Sequence, residues 1–178
     1  MSVARTALRP GYEISRVIRG GWQLAGDHGA VDRSQAIRDM EAFVEAGINT
    51  YQCSDIYERV EEIIGDFIAD LRHRRGAGAA ARVQVHTKLV PDLGLLETLT
   101  PDQVTAIIDR SLKRLQVEQL DLVQFYWWDL SLGDPAVGLD ALMRAQEAGK
   151  IAHIVVTIWD VAETAPLRDA GADLVSTQ

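Results

Sequence analysis

The chain has one cysteine, Cys53, in 178 residues. An internal disulfide is therefore excluded, and a reducing compartment, the cytoplasm, is the expected location. No apolar run approaches the ~18 residues of a membrane span, and residues 1–19 lack the apolar core of a signal peptide. Basic clusters are equally scarce. Eighteen Lys and Arg stand against 26 Asp and Glu, a formal net charge of -8, which argues against a nucleic-acid surface. The one basic run, Arg72-His73-Arg74-Arg75, closes an amphipathic segment and reads as a solvated helix cap, because cations suit the negative end of a helix dipole. His28, His73, His86 and His153 lack metal-ligand spacing and read as surface or satisfied strand residues. Neither a Gly-rich phosphate loop nor a nucleophile elbow occurs.

What is present is an ordinary globular composition, 47% hydrophobic and 25% charged, enough for one well-buried domain over residues 1–178. Residues 6–8 and 13–15, separated by Arg9-Pro10-Gly11-Tyr12, read as a hairpin, and 16–20 as a first inner strand. Asp32 with Gln35 forms a capping box, and Ala36, Met40, Phe43 and Val44 mark one helical face that stops at Gly47. Residues 48–52 follow as a strand, 60–72 as a helix, 76–81 as a Gly/Ala connection, and 83–90 as a strand. Thr100-Pro101-Asp102-Gln103 combines an N-cap, a Pro at the first helical position and a capping-box Gln, starting a helix to about residue 116. Strands at 120–126, 151–157 and 174–177 then alternate with helices at 134–149 and 160–171.

Alternation of this kind predicts a parallel sheet of right-handed crossover units, α/β in class, with six strands, five helices and an N-terminal hairpin. A closed (β/α)8 barrel of the TIM type usually takes about 250 residues. The chain therefore reads as a partial barrel, a curved open sheet lacking the last two strands, with a truncated look at its C-terminal strand. That uncovered strand predicts self-association or a partner chain.

The stretch Gly-Ile-Asn-Thr-Tyr-Gln-Cys-Ser-Asp-Ile-Tyr at 47–57 ends a helix, crosses a buried strand and gathers polar groups where that strand ends, the usual place for chemistry in such sheets. It resembles the aldo-keto reductases, in which the segment commonly reads Gly-Ile-Asn-Thr-Phe-Asp-Thr-Ala-Asp-Ile-Tyr-Gly before an acidic run ending in Gly, here Glu61, Glu62 and Gly65. The likeness spans the chain: Gly20-Gly21-Trp22, Thr87-Lys88, the strand-four text ending Phe125-Tyr126-Trp127-Trp128-Asp129, Gly149-Lys150-Ile151, Thr157-Ile158-Trp159-Asp160 and Val175-Ser176-Thr177-Gln178 are each similar to family text.

The resemblance implies hydride transfer from NADP(H) to a carbonyl of a small molecule, with Tyr57 as the acid and Lys88 as the cation beside it. The family's aspartate and histidine positions fall on Gln52 and Tyr126. Gln52 can accept a hydrogen bond but cannot neutralise a lysine, so the lysine's pKa should fall; Asp55, three residues on, is the candidate substitute. Tyr126 can donate a hydroxyl to a carbonyl, and reads equally as a pocket wall. For the cofactor, Gly21 and Trp22 form the expected wall. Thr157, Ile158 and Gln178 take the carboxamide positions, with Ile158 where the family has Asn. The family's grip on the adenosine 2'-phosphate lies beyond residue 178, so weak cofactor binding is expected. Two further readings remain open: a non-redox enzyme using Tyr57 and Lys88 as acid and base, and a non-catalytic binding partner. Cys53 reads as a small filler rather than a reactive thiol.

Overall fold

A computed structural model describes residues 3–26, 29–160, 164–165 and 173–177. An antiparallel hairpin, β1 (Arg5–Arg9) with β2 (Tyr12–Ser15), precedes a six-stranded parallel sheet of β3 (Arg19–Gly20), β4 (Thr50–Gln52), β5 (Gln84–Leu89), β6 (Leu120–Phe125), β7 (Ile151–Val156) and β8 (Leu174–Thr177). The strands lie in sequence order, as the alternation of elements predicts. Helices α1 (Arg33–Glu45), α2 (Val60–Arg75), α3 (Ala77–Ala80), α4 (Pro101–Leu115) and α5 (Pro135–Glu147) connect them. The chain divides into two compact units, residues 1–86 with 113–117, and 87–112 with 118–178; β5 runs from the first into the second.

In the first unit, the hairpin attaches at the starts of β4 and β5. Ser15 and Thr50 exchange hydrogen bonds between backbone and hydroxyl, Arg5 reaches Asn49 Oδ1 at 2.8 Å, and the Tyr12 hydroxyl meets His86 Nε2 at 2.8 Å. His86 is thus a satisfied strand residue, as expected. β3 is shorter than the 16–20 strand read from the sequence: the Ser15 hydroxyl donates to the Val17 carbonyl at 2.8 Å and turns the chain, leaving Val17 and Ile18 exposed. Asp32 caps α1 by accepting from the Gln35 amide at 3.0 Å. The 76–81 connection contains the short helix α3, to which three alanines lend high helix propensity.

The basic run closes α2, opposite the acidic Glu61 and Glu62 of its first turn, so both ends complement the helix dipole. It also ties α2 to α1. Arg74 bonds Glu41 and Asp70, and Arg75 bonds Glu41 and Glu45, so the Arg74 hydrogen bonds hold both the Glu41 and Asp70 carboxyls below their usual range. Beneath these exposed pairs, Tyr51, Ile64, Phe67 and Leu71 are buried, with the Tyr51 and Phe67 rings 5.8 Å apart.

In the second unit, β6 is buried along almost its whole length, as a strand covered on both faces should be. The capping box of α4 forms in both directions: the Thr100 amide donates to Gln103 Oε1 at 2.8 Å and the Gln103 amide to Thr100 Oγ1 at 3.3 Å. A 3-10 segment, Leu93–Thr98, fills the loop before α4. Asp134 caps α5 through the Ala136 amide at 2.9 Å. The helix expected at 160–171 lies largely outside the described residues, of which Thr164 and Ala165 are helical.

Candidate active site

The first unit holds Gly21, Trp22, Gln52 and Tyr57. Gln52 is the last residue of β4 and the register partner of His86, and its amide nitrogen donates to the Cys53 carbonyl at 3.1 Å. The Gly21 amide donates to the Gln52 carbonyl at 2.7 Å, which binds the Gly21-Trp22 segment to the end of β4. Only glycine fits there: a Cβ at Gly21 would stand 2.8 Å from that carbonyl oxygen and 2.9 Å from Val60 Cγ1. Trp22 begins a 3-10 turn, Trp22–Ala25, with its side chain exposed.

The loop after β4 is anchored at its start, where the Cys53 amide donates to the His86 carbonyl at 2.8 Å, and folds back as the Tyr57 amide donates to the Ser54 carbonyl at 3.1 Å. Cys53, Ser54 and Asp55 are buried and Tyr57 is half-buried. Burial pushes the Tyr57 phenol above the ordinary tyrosine value, with a smaller push in the same direction from Cys53. Arg59, between this loop and α2, adopts φ 62, a left-handed conformation uncommon outside glycine.

Asp55 faces its neighbour, accepting from Ser54 Oγ at 3.4 Å, and its carbonyl takes a hydrogen bond from Arg114 Nη1 at 2.9 Å. Arg114 also reaches Glu61 Oε2 at 3.3 Å and Glu62 Oε1 at 3.1 Å. Sequence reasoning passed over Arg114. A basic residue in the last turn of a helix reads as dipole compensation, and nothing nearby in sequence marks its acceptors.

The second unit holds Lys88, Tyr126, Thr157 and Ile158. Lys88 lies half-buried near the end of β5. The Tyr126 amide donates to the Leu89 carbonyl at 3.0 Å and the Thr157 amide to the Phe125 carbonyl at 3.1 Å, so these three residues sit at the C-terminal ends of the adjacent strands β5, β6 and β7. Such ends carry the reactive groups of parallel α/β enzymes. The Tyr126 ring stands edge-on to Trp128 at 4.9 Å, and Trp128 Nε1 donates to the Pro91 carbonyl at 2.7 Å. Trp127 is buried.

Thr157 is buried, whereas Ile158 is 61% exposed and holds φ 61. A β-branched side chain in this region is strained, and Asn, the residue of the resembling text, adopts it more readily. Taken unit by unit, the fit to a nicotinamide is partial: in the first, Trp22 offers an exposed ring; in the second, Thr157 offers a hydroxyl, but Ile158 has no side-chain hydrogen-bonding group. Gln178 lies outside the described residues. Among the described residues there is no cluster of three or more His, Cys, Asp or Glu that could hold a metal ion, and no helix is long and apolar enough to cross a membrane.

Comparison with known proteins bears on the family and the fold. The family model described as the aldo/keto reductase family matches residues 16–178. Aldo-keto reductase YhdN of Bacillus subtilis is 26% identical over 160 residues, covering 86% of this chain and 46% of that protein. Aflatoxin B1 aldehyde reductase member 2 of Rattus norvegicus is 30% identical over 168 residues, covering 91% of this chain and 41% of its own length. The chain thus spans less than half of these curated relatives. A crystal structure of a Bombyx mori aldo-keto reductase in complex with NADP superimposes with a TM-score of 0.80 at 19% identity, over all of this chain and 58% of that one, a likeness of fold. With the family model covering both β4 and its Tyr57 loop and the strand ends that carry Lys88, Tyr126 and Thr157, the chain belongs to the aldo/keto reductase family.

Proposed function

We propose that this chain is an aldo-keto-reductase-like oxidoreductase that reduces a small aldehyde or ketone to an alcohol with a weakly held NADP(H). The observation that carries the reading is Tyr57, a half-buried phenol in the loop leaving the C-terminal end of β4. When bound, the reduced nicotinamide supplies the hydride. Tyr57 gives its proton to the oxygen that becomes the alcohol, and Lys88 is the cation proposed to ease that transfer. Tyr126 is the proposed donor to the substrate carbonyl, in the place of an imidazole. Gly21 and Trp22 with Thr157 and Ile158, and Gln178 beyond the described residues, are proposed to line the cofactor. In this proposal residues 1–178 act as one reductase-like domain in the cytoplasm.

Gln52 favours a second reading. Its amide carries no charge and donates to the Cys53 carbonyl, at the position where the resembling text has an aspartate. Tyr57 and Lys88 would then act as acid and base on a carbonyl or imine without redox chemistry.

The deciding experiment incubates the chain with NADPH and a panel of aliphatic and aromatic aldehydes, following absorbance of the reduced nicotinamide. Cofactor-dependent oxidation that is lost in Tyr57→Phe supports the reductase. Turnover of the carbonyl compound without nicotinamide, lost in the same variant, supports the second reading. A stable stoichiometric complex with another chain and no turnover of either kind would make the protein a binding partner.

A further inference from the structure

The Tyr57 loop is held from outside its own sequence neighbourhood, by Arg114 at the end of α4. Its backbone is fixed first. Gly65 of α2 lies so close that a Cβ there would stand 2.1 Å from the Arg114 carbonyl oxygen. From that crossing the side chain runs along the first turn of α2, with Nε at 3.1 Å from Glu62 Oε1 and Nη1 at 3.3 Å from Glu61 Oε2, and ends 2.9 Å from the Asp55 carbonyl. The Glu61 side chain is 0% exposed, and a carboxylate so buried is costly to leave without a cation. Asp55, also buried, precedes Tyr57 by two residues.

We propose that Arg114 is the positioning residue for Tyr57, setting the curve of the 53–57 loop by holding the Asp55 carbonyl and the Glu61 carboxylate on one guanidinium. This rests on the reading of Tyr57 as the reaction's acid. A guanidinium presents its donors in a fixed planar fork and can serve several acceptors with set directions; an ammonium is a point charge that holds none of them in a plane. The loop's start is tied to His86 through Cys53, and its turn closes on itself through Ser54. Arg114 joins the middle of the loop, at Asp55, to Glu61 and Glu62 of α2. A phenol that must meet a carbonyl oxygen within hydrogen-bond reach depends on that curve.

The test uses the full chain with 13C-labelled tyrosine rings, of which there are four. The Tyr57 signal is identified by its loss in Tyr57→Phe. In Arg114→Lys the Tyr57 signal should move and broaden, and its phenol should titrate at lower pH than in the wild type, because a loosened loop returns the ring to water. The Tyr12 and Tyr51 signals should stay in place. Lysine keeps the charge, so such a shift cannot come from a lost cation. Arg114→Met should show the same change or a larger one, and Glu62→Gln, which leaves the Asp55 and Glu61 contacts intact, should show none. An unmoved Tyr57 signal in a folded Arg114→Lys chain would overturn the inference. So would loss of the fold in both Arg114 variants, which would make the residue a support of the whole unit. Absence of carbonyl reduction in the wild type would sink the functional reading while leaving this measurement able to decide the positioning role.

Discussion

Gly65 of α2 rests against the backbone of Arg114, with a hypothetical Cβ only 2.1 Å from the Arg114 carbonyl oxygen and 2.9 Å from the Leu115 carbonyl carbon. The clashing atoms are backbone, which cannot rotate away as a side chain would. Gly65→Ala should therefore destabilise the chain by about 3 kcal/mol, although alanine is the better helix former. Urea unfolding measures it, and a variant as stable as the wild type would mean that the two helices are free to separate.

Tyr51 sets an alkaline limit on stability. Its hydroxyl donates to the Met40 carbonyl at 2.7 Å, and burial drives its phenol far above the ordinary tyrosine value. The folded state keeps the proton while the unfolded chain releases it near pH ~10. The contribution is complete below that pH and is lost as pH rises through the window between the unfolded and folded values, since the unfolded state then binds fewer protons. Urea midpoints should fall between pH 9 and about pH 11. Tyr51→Phe should lower stability at neutral pH by about 1 kcal/mol, through loss of the buried hydrogen bond to the Met40 carbonyl, and flatten the alkaline decline.

Ile158 holds φ 61 with its side chain 61% exposed, so little packing offsets its strained backbone. Ile158→Asn should raise stability by about 1 kcal/mol, the cost of a left-handed conformation for a branched residue. The same change adds an amide at the proposed carboxamide position. Nicotinamide titrations should show tighter binding of NADH and NADPH together, and a thermal melt that does not rise would remove the strain argument.

Selectivity between the two cofactors is a separate matter. A phosphate adds affinity only where fixed donors meet it, and the contacts proposed here, Trp22, Thr157 and Ile158, belong to the nicotinamide end. NADPH should bind no better than NADH by calorimetry. A preference of tenfold, about 1.4 kcal/mol, would place a phosphate clamp elsewhere in the chain.

β8 stands last in the strand order and carries the apolar, half-buried Leu174 and Val175. Strand edges of this kind pair with other chains. Light scattering should show mass rising with concentration, and Leu174→Lys should suppress the rise. A single mass at every concentration would count against pairing through β8.

Much of this molecule is written locally. The Asp32 and Thr100 caps act over three residues, and the alternation of apolar strands with amphipathic helices needs only the immediate neighbours to be recognised. Strand order, helix starts and the location of Tyr57 after β4 were legible for that reason, and the family text at 47–57 and 120–129 supplied the candidate roles. The sequence was silent where partners lie far apart. Arg114 meets an acceptor 59 positions away at Asp55, and Tyr12 meets His86 74 positions away. Ser15 ends the hairpin by donating to a carbonyl that the 16–20 strand would have used. Periodicity reports which face of an element is apolar, but not which distant element will cover it. Hydrogen-bond direction, burial of a charge such as Glu61 and the approach of Gly65 to Arg114 exist only once packing has brought those backbones together.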